Sequence, residues 1–90
     1  MNDIPYRLRF TARAANNLRH LDKKVAVRIR RRLRWLAANA NTYAHYAMEG
    51  QWSGYFRFRI GDYRAIYGLN HAEHLITVET IGHRSDVYDE

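Results

Sequence analysis

The run Tyr55-Phe56-Arg57-Phe58-Arg59-Ile60-Gly61-Asp62-Tyr63-Arg64 alternates apolar residues with arginine on both sides of a Gly-Asp pair. A two-residue turn with glycine first is the type II′ signature of a β-hairpin. Such a turn pairs Ile60 with Tyr63, Arg59 with Arg64 and Phe58 with Ala65. Paired residues share a face, and faces alternate along each strand. Phe56, Phe58, Ile60, Tyr63 and Ala65 are therefore expected to face a core, with Arg57, Arg59 and Arg64 gathered on the other side. Like charges set opposite one another destabilise a sheet, so this cluster calls for a counter-charge. Phosphate fits, because guanidinium groups grip it bidentately. The alternative is neutralisation within the protein by Glu49, Asp62 or Glu79.

A second constellation closes the chain, Ile81-Gly82-His83-Arg84-Ser85-Asp86-Val87-Tyr88. It places an imidazole, a fourth arginine and a phenol at the end of the sheet. Histidine suits general acid–base work near neutrality. Tyr88 is a candidate to donate or relay a proton. Taken alone, such a pair is more often structural.

The composition narrows the classes. The 90 residues hold 15 basic and 9 acidic side chains and no cysteine. Disulfides, thiolate zinc sites and cysteine nucleophiles are thereby excluded. Residues 1–48 carry net +9 and residues 49–90 net −3, and 13 of the basic residues are arginine. That excess points to nucleic acid or ribosome as partner. Arg28, Arg30, Arg31, Arg32 and Arg34 form a basic stripe expected to grip RNA backbone, the alternative being a solvated helix face. No stretch approaches the ~20 apolar residues of a membrane span, and the N-terminus has no signal-peptide pattern. One cytoplasmic domain over 1–90 is expected, without metal or cofactor.

Positioning these groups requires a scaffold. Residues 6–10 alternate as a strand with Tyr6, Leu8 and Phe10 inward. Thr11 caps a helix using Ala12, Ala15, Leu18 and Leu21, running through residue 21. Asp22 caps a second helix, with Val25, Ile29, Leu33 and Leu36 inward, to about residue 38. The tight junction implies an antiparallel hairpin of helices. Residues 39–50 read as a loop held by Tyr43, Tyr46 and Met48. Strands follow at 55–60, 63–69 and 74–81, with Gly82 interrupting before a short segment 83–88. Trp35 and Trp52 are expected in the core. The order β-α-α-β-β-β gives an α+β class, with the helical hairpin covering one face of a mainly antiparallel sheet.

Leu21-Asp22-Lys23, the hairpin run from Gly54 to Tyr67 and the ending from Ile81 to Tyr88 together resemble the RelE/ParE superfamily of toxin–antitoxin toxins. The resemblance spans residues 6–88. Its RelE branch implies a microbial-ribonuclease-like fold and a toxin that cuts mRNA in the ribosomal A site, without metal. The RNA's own 2′-hydroxyl is the nucleophile, and a cognate antitoxin masks the basic surface. Carried over, the family's basic pair falls on Arg57 and Arg59, its later arginines on Arg64 and Arg84, and its tyrosine on Tyr88. Relatives often have lysine in the pair, and one has been suggested as the base. Arginine, with a pKa above ~12, is a poor base, so His83 is the expected substitute. The ParE branch keeps the fold and poisons DNA gyrase instead. A DNA-binding helix-turn-helix built on Arg28 to Arg34 is disfavoured, because the junction at Asp22 is short and lacks a turn glycine.

Overall fold

The computed structural model describes residues 4–87. Strand β1 (Arg7–Phe10) leads into helix α1 (Ala12–Arg19) and helix α2 (Lys23–Ala38). A short edge strand β2 (Tyr46–Ala47) and a 3-10 turn (Gly50–Trp52) precede β3 (Phe56–Ile60), β4 (Tyr63–Asn70) and β5 (Leu75–His83). The sheet order is β1-β5-β4-β3-β2, with β1 parallel to β5 and the other pairs antiparallel. The α+β arrangement expected from the sequence is the observed one.

Local chemistry sets the helix boundaries. The Thr11 side chain accepts from the Ala14 N–H at 3.1 Å and donates to the Glu79 carbonyl at 2.9 Å, so one hydroxyl caps α1 and ties it to β5. The Asp22 carboxylate accepts from the Lys24 N–H and caps α2. Each such cap contributes about 1 kcal/mol. Helix α1 ends earlier than its apolar spacing suggested, with His20 as its C-cap, and it buries Ala14 and Leu18 while Ala12 is exposed. Helix α2 buries Ala26, Ile29, Leu33, Leu36 and Ala37. These pack with Tyr6, Phe58, Ile60, Ala65, Tyr67, Ile76, Val78 and Ile81 from the sheet.

Three expectations need correction. The segment read as a loop contains β2, which pairs Tyr46 with Arg57 and Ala47 with Phe56. Two residues are too few to show a period of two. Gly82 does not interrupt β5, which continues to His83 because β4 is long enough to pair it: Arg64 faces Gly82 and Tyr63 faces His83. Trp35 is also no core residue. It is 41% exposed and stacks over Phe58 at 6.3 Å.

Beyond the end of β1, the edge of β5 is sealed by a side chain. Asn17 Oδ1 on α1 accepts from the Ile81 N–H at 2.9 Å and from Thr80 Oγ1 at 3.1 Å. Asn17→Ala should therefore cost ~1–3 kcal/mol, because a buried N–H is left without a partner. Urea denaturation would report this as a lower midpoint at unchanged slope.

Candidate functional site

The register at the Gly61-Asp62 turn is the one the sequence implied. Ile60 pairs with Tyr63, Arg59 with Arg64 and Phe58 with Ala65. Phe58, Ile60 and Ala65 are buried under the helices, while Arg57 and Arg59 are exposed on the opposite face. Gly61 supplies the positive φ of the turn, +58°. The three arginines line one cleft of about 260 Å³ with Tyr43 and Tyr46.

Each arginine is held differently. Arg57 lies 5.8 Å from the Tyr46 ring centre in a cation–π contact. Arg64 Nη1 donates to the carbonyls of Gly61 and Tyr63, both at 2.9 Å. Carbonyls fix its position without cancelling its charge. Arg59 lines the cleft and also a second hollow shared with Arg28, Arg32, Ile60 and Gly61. The cleft thus concentrates cationic charge on a rigid hairpin, which suits a phosphate group.

The two tyrosines are the residues the sequence reading missed as site members. They sit in the segment taken for a loop. Tyr46 enters the cleft because β2 sets it opposite Arg57. Tyr43 packs edge-on against Trp35 and Phe58, at 5.7 Å from each. Burial raises the pKa of its phenol above the usual tyrosine range and Tyr46 adds to that, partly offset by the Arg32 and Arg57 charges. It therefore stays protonated at neutral pH.

The remaining candidates divide. His83 pairs with Tyr63, so it faces the helix side of the sheet, away from Arg57, Arg59 and Arg64. Its ring meets Tyr63 edge-on at 5.6 Å, and both line a hollow with His20 and Asn16. This separates His83 from the arginines. The reason is that β5 runs straight through Gly82, which fixes the face of the next residue. Arg84 is exposed, and its backbone N–H donates to the Asp62 carbonyl at 2.8 Å, which tethers it at the hairpin turn. Tyr88 lies outside the described residues. Val87 is buried, and its Cβ is 3.5 Å from where a Cβ on Gly82 would stand. Gly82 shares a face with Arg64, so the chain folds back over the arginine side.

The helical arginines do not form one stripe. At 100° per residue, Arg28 and Arg32 lie on one flank and Arg30 and Arg34 about 160° away. Arg28 approaches the Gly61 turn, and Arg32 sits over Trp35 at 4.8 Å and Phe58 at 5.4 Å. Arg30, Arg31 and Arg34 are exposed. Among the described residues, no group of three or more His, Asp or Glu side chains is placed to hold a metal ion, and no helix is long and apolar enough to cross a membrane.

Residues 8–88 match the family model of the ParE toxin of the type II toxin–antitoxin system parDE. No curated protein sequence matches the chain. Solved structures share the fold. A chain of the toxin–antitoxin complex RelBE2 from Mycobacterium tuberculosis is 23% identical, with 92% of this chain and 95% of that one covered and a TM-score of 0.81. The archaeal RelE–RelB complex from Pyrococcus horikoshii gives 23% identity, 93% and 100% coverage and a TM-score of 0.73. The isolated RelE toxin of E. coli gives 22% identity, 92% and 90% coverage and a TM-score of 0.71. With the family model spanning nearly all of its length, the chain belongs to the RelE/ParE superfamily and is a toxin of a type II toxin–antitoxin system.

Proposed function

We propose that this toxin is a ribosome-dependent mRNA endoribonuclease that cuts in the A site and stops translation in the cytoplasm. The observation that carries the reading is the convergence of Arg57, Arg59 and Arg64 on one cleft with two phenols. In the proposed reaction the 2′-hydroxyl gives its proton to water as its oxygen bonds to phosphorus and the P–O5′ bond breaks. A 2′,3′-cyclic phosphate and a 5′-hydroxyl result. The arginines hold the scissile phosphate and stabilise the added charge of the phosphorane, so no metal is required. Tyr43, whose phenol lines the cleft, donates a proton to the leaving 5′-oxygen and regains one from water. Arg84, tethered at the turn, reaches the same phosphate from the side, and Tyr88 serves as a stacking platform for a base. Such stacking contributes ~1–3 kcal/mol. His83 takes no part in this reading, because it lies on the other face. The ribosome supplies substrate positioning.

The exposed helical arginines bind ribosomal RNA backbone in this scheme, and a cognate antitoxin covers the basic surface. Arg30→Ala with Arg34→Ala should lower the slope of log affinity against log salt by about 2, measured by ribosome binding from 50 to 200 mM salt.

The test is cleavage on a programmed ribosome carrying a defined mRNA, mapped by primer extension beside free mRNA. A-site cuts on the ribosome alone support the proposal. Intact mRNA under continuing translation overturns it. The ParE family model favours a second reading, inhibition of DNA gyrase without nuclease activity. Loss of gyrase supercoiling with intact ribosome-bound mRNA would establish that instead.

A further inference from the structure

We propose that His45 is a positioning residue for the arginine cleft: its neutral imidazole, pinned between the Tyr67 hydroxyl and the Ala40 carbonyl, holds Tyr43 and Tyr46 beside the arginines, and a second proton on the ring releases them. This deepens the nuclease reading above and rests on it.

The two cleft tyrosines stand between α2 and β3, on either side of His45 in the chain. Both nitrogens of the half-buried His45 ring are engaged. Nε2 lies 2.9 Å from the Ala40 carbonyl, and Nδ1 is hydrogen-bonded to the Tyr67 hydroxyl. A carbonyl only accepts, so Nε2 carries the ring proton. Nδ1 of the neutral ring is then an acceptor, and the Tyr67 hydroxyl donates to it. The bond to Ala40 closes the loop that holds Tyr43. The bond to Tyr67 fastens that loop to β4, in the middle of the sheet.

Tyr67 makes the pin specific. Its side chain is fully buried, and it pairs with Phe56 on β3 and Val78 on β5. Phenylalanine would fill the same space without needing a partner, whereas a buried hydroxyl must find one. Among the described residues, His45 is the one side chain hydrogen-bonded to it. Burial holds the phenol well above the usual tyrosine range, with Tyr43 adding to the shift, so Tyr67 remains a donor.

The same ring touches the cleft wall. It meets the Tyr43 ring edge-on at 5.2 Å, and Tyr43 in turn packs on Trp35 and Phe58. Tyr46 is the next residue, set opposite Arg57 by β2. The near end of the loop is held separately, by the Tyr6 hydroxyl donating to Asn41 Oδ1 at 2.9 Å. Loss of the His45 pin therefore frees residues 43–46 and leaves the rest of the loop attached.

Protonation reaches the same end by another route. It turns Nδ1 into a donor facing the hydroxyl that donates to it, and Tyr67 has no second acceptor among the described residues. The groups facing the ring are Tyr67 from β4, His71 from the β4–β5 turn at 6.2 Å, Phe56 from β3 at 5.7 Å and Tyr43 from its own loop. None of these is a carboxylate or a guanidinium. His71 is itself bonded through Nδ1 to the Tyr6 hydroxyl.

Single-turnover cleavage on programmed ribosomes, at limiting and saturating toxin, separates rate from binding. His45→Phe keeps the ring contacts and removes both hydrogen bonds. It should slow the rate about tenfold with ribosome affinity unchanged, the cost of displacing a reacting group by a fraction of an ångström. Tyr67→Phe should slow it too, and the double variant should be no slower than His45→Phe, because both act through one bond. His45→Gln offers a donor and an acceptor side by side and should return the rate to within about threefold of wild type. It cannot take the second proton, so lowering the pH from about 7.5 to 5.5 should slow the wild type relative to His45→Gln. Additive losses, a His45→Gln protein as slow as His45→Phe, or parallel pH profiles would each overturn the inference and leave His45 a packing residue.

NMR of the full chain answers without a substrate. NOEs between the Tyr43 ring and the Trp35 indole, whose centres lie 5.7 Å apart, should persist in wild type and His45→Gln and weaken in His45→Phe. If they persist in His45→Phe, the pin does not position the tyrosines. If no message is cut by any variant, the nuclease reading fails while the NOEs still decide the role of His45.

Discussion

Arg64→Ala should slow ribosome-dependent mRNA cleavage about 10²–10³-fold, the usual loss when one preorganised charge donor is removed from a transition state. Among the three cleft arginines, Arg64 is the one fixed by two hydrogen bonds to turn carbonyls and only partly exposed. Its Nη1 hydrogens hold the hairpin, and its other N–H groups remain to meet a phosphate. No reorganisation is then needed as charge develops. Arg59 is exposed, so Arg59→Ala should lose less, about tenfold. Arg64→Lys keeps the charge but cannot bridge turn and phosphate in one plane, so it should recover only part of the rate. Primer extension over a time course on programmed ribosomes measures all three. Circular dichroism and thermal melting establish that each variant is folded. A folded Arg64→Ala protein that cuts at the wild-type rate removes the cleft from the chemistry.

Leu33→Ala should be the most damaging single truncation for stability, at about 2–5 kcal/mol. Leu33 is fully buried on α2 between the helices and the sheet. A domain of this length has roughly 5–13 kcal/mol in all. The melting temperature should fall by roughly 10–25 °C in calorimetry. Leu33→Met preserves volume and should cost less than about 1.5 kcal/mol. Since Arg32 adjoins Leu33 and lies over Phe58, loosening this helix also loosens one wall of the arginine hairpin. Equal melting of Leu33→Ala and wild type would mean that α2 is not what holds the sheet face closed.

What the sequence revealed depended on how local the determinant was. The Gly61-Asp62 turn fixes a register within a few residues, so the grouping of Arg57, Arg59 and Arg64 was readable before any coordinates. Thr11 and Asp22 announced their helices for the same reason. The position of His83 depended on something distant. Whether β5 continues past Gly82 is decided by the length of β4, and one extra ladder pair sends the imidazole to the opposite face. Tyr46 was hidden because its strand is two residues long and exists only through pairing with β3. The arginines of α2 looked continuous in one dimension, yet the helical repeat parts them onto two flanks.

The parallel pairing of β1 with β5 also governs when the molecule becomes itself. Arg7 lies opposite Leu75, and β5 sits between β1 and β4. Closing so long a loop is slow, and it cannot begin until residues 75–83 exist. Before then β1 has no neighbour, Asn17 has no strand edge to seal, and the strand bearing Arg64 is unpaired on one side. A nascent chain on its way out of the ribosome therefore carries the arginines without the platform that aims them. The full sheet behind the arginine cleft is therefore complete only once β5 has been made and paired.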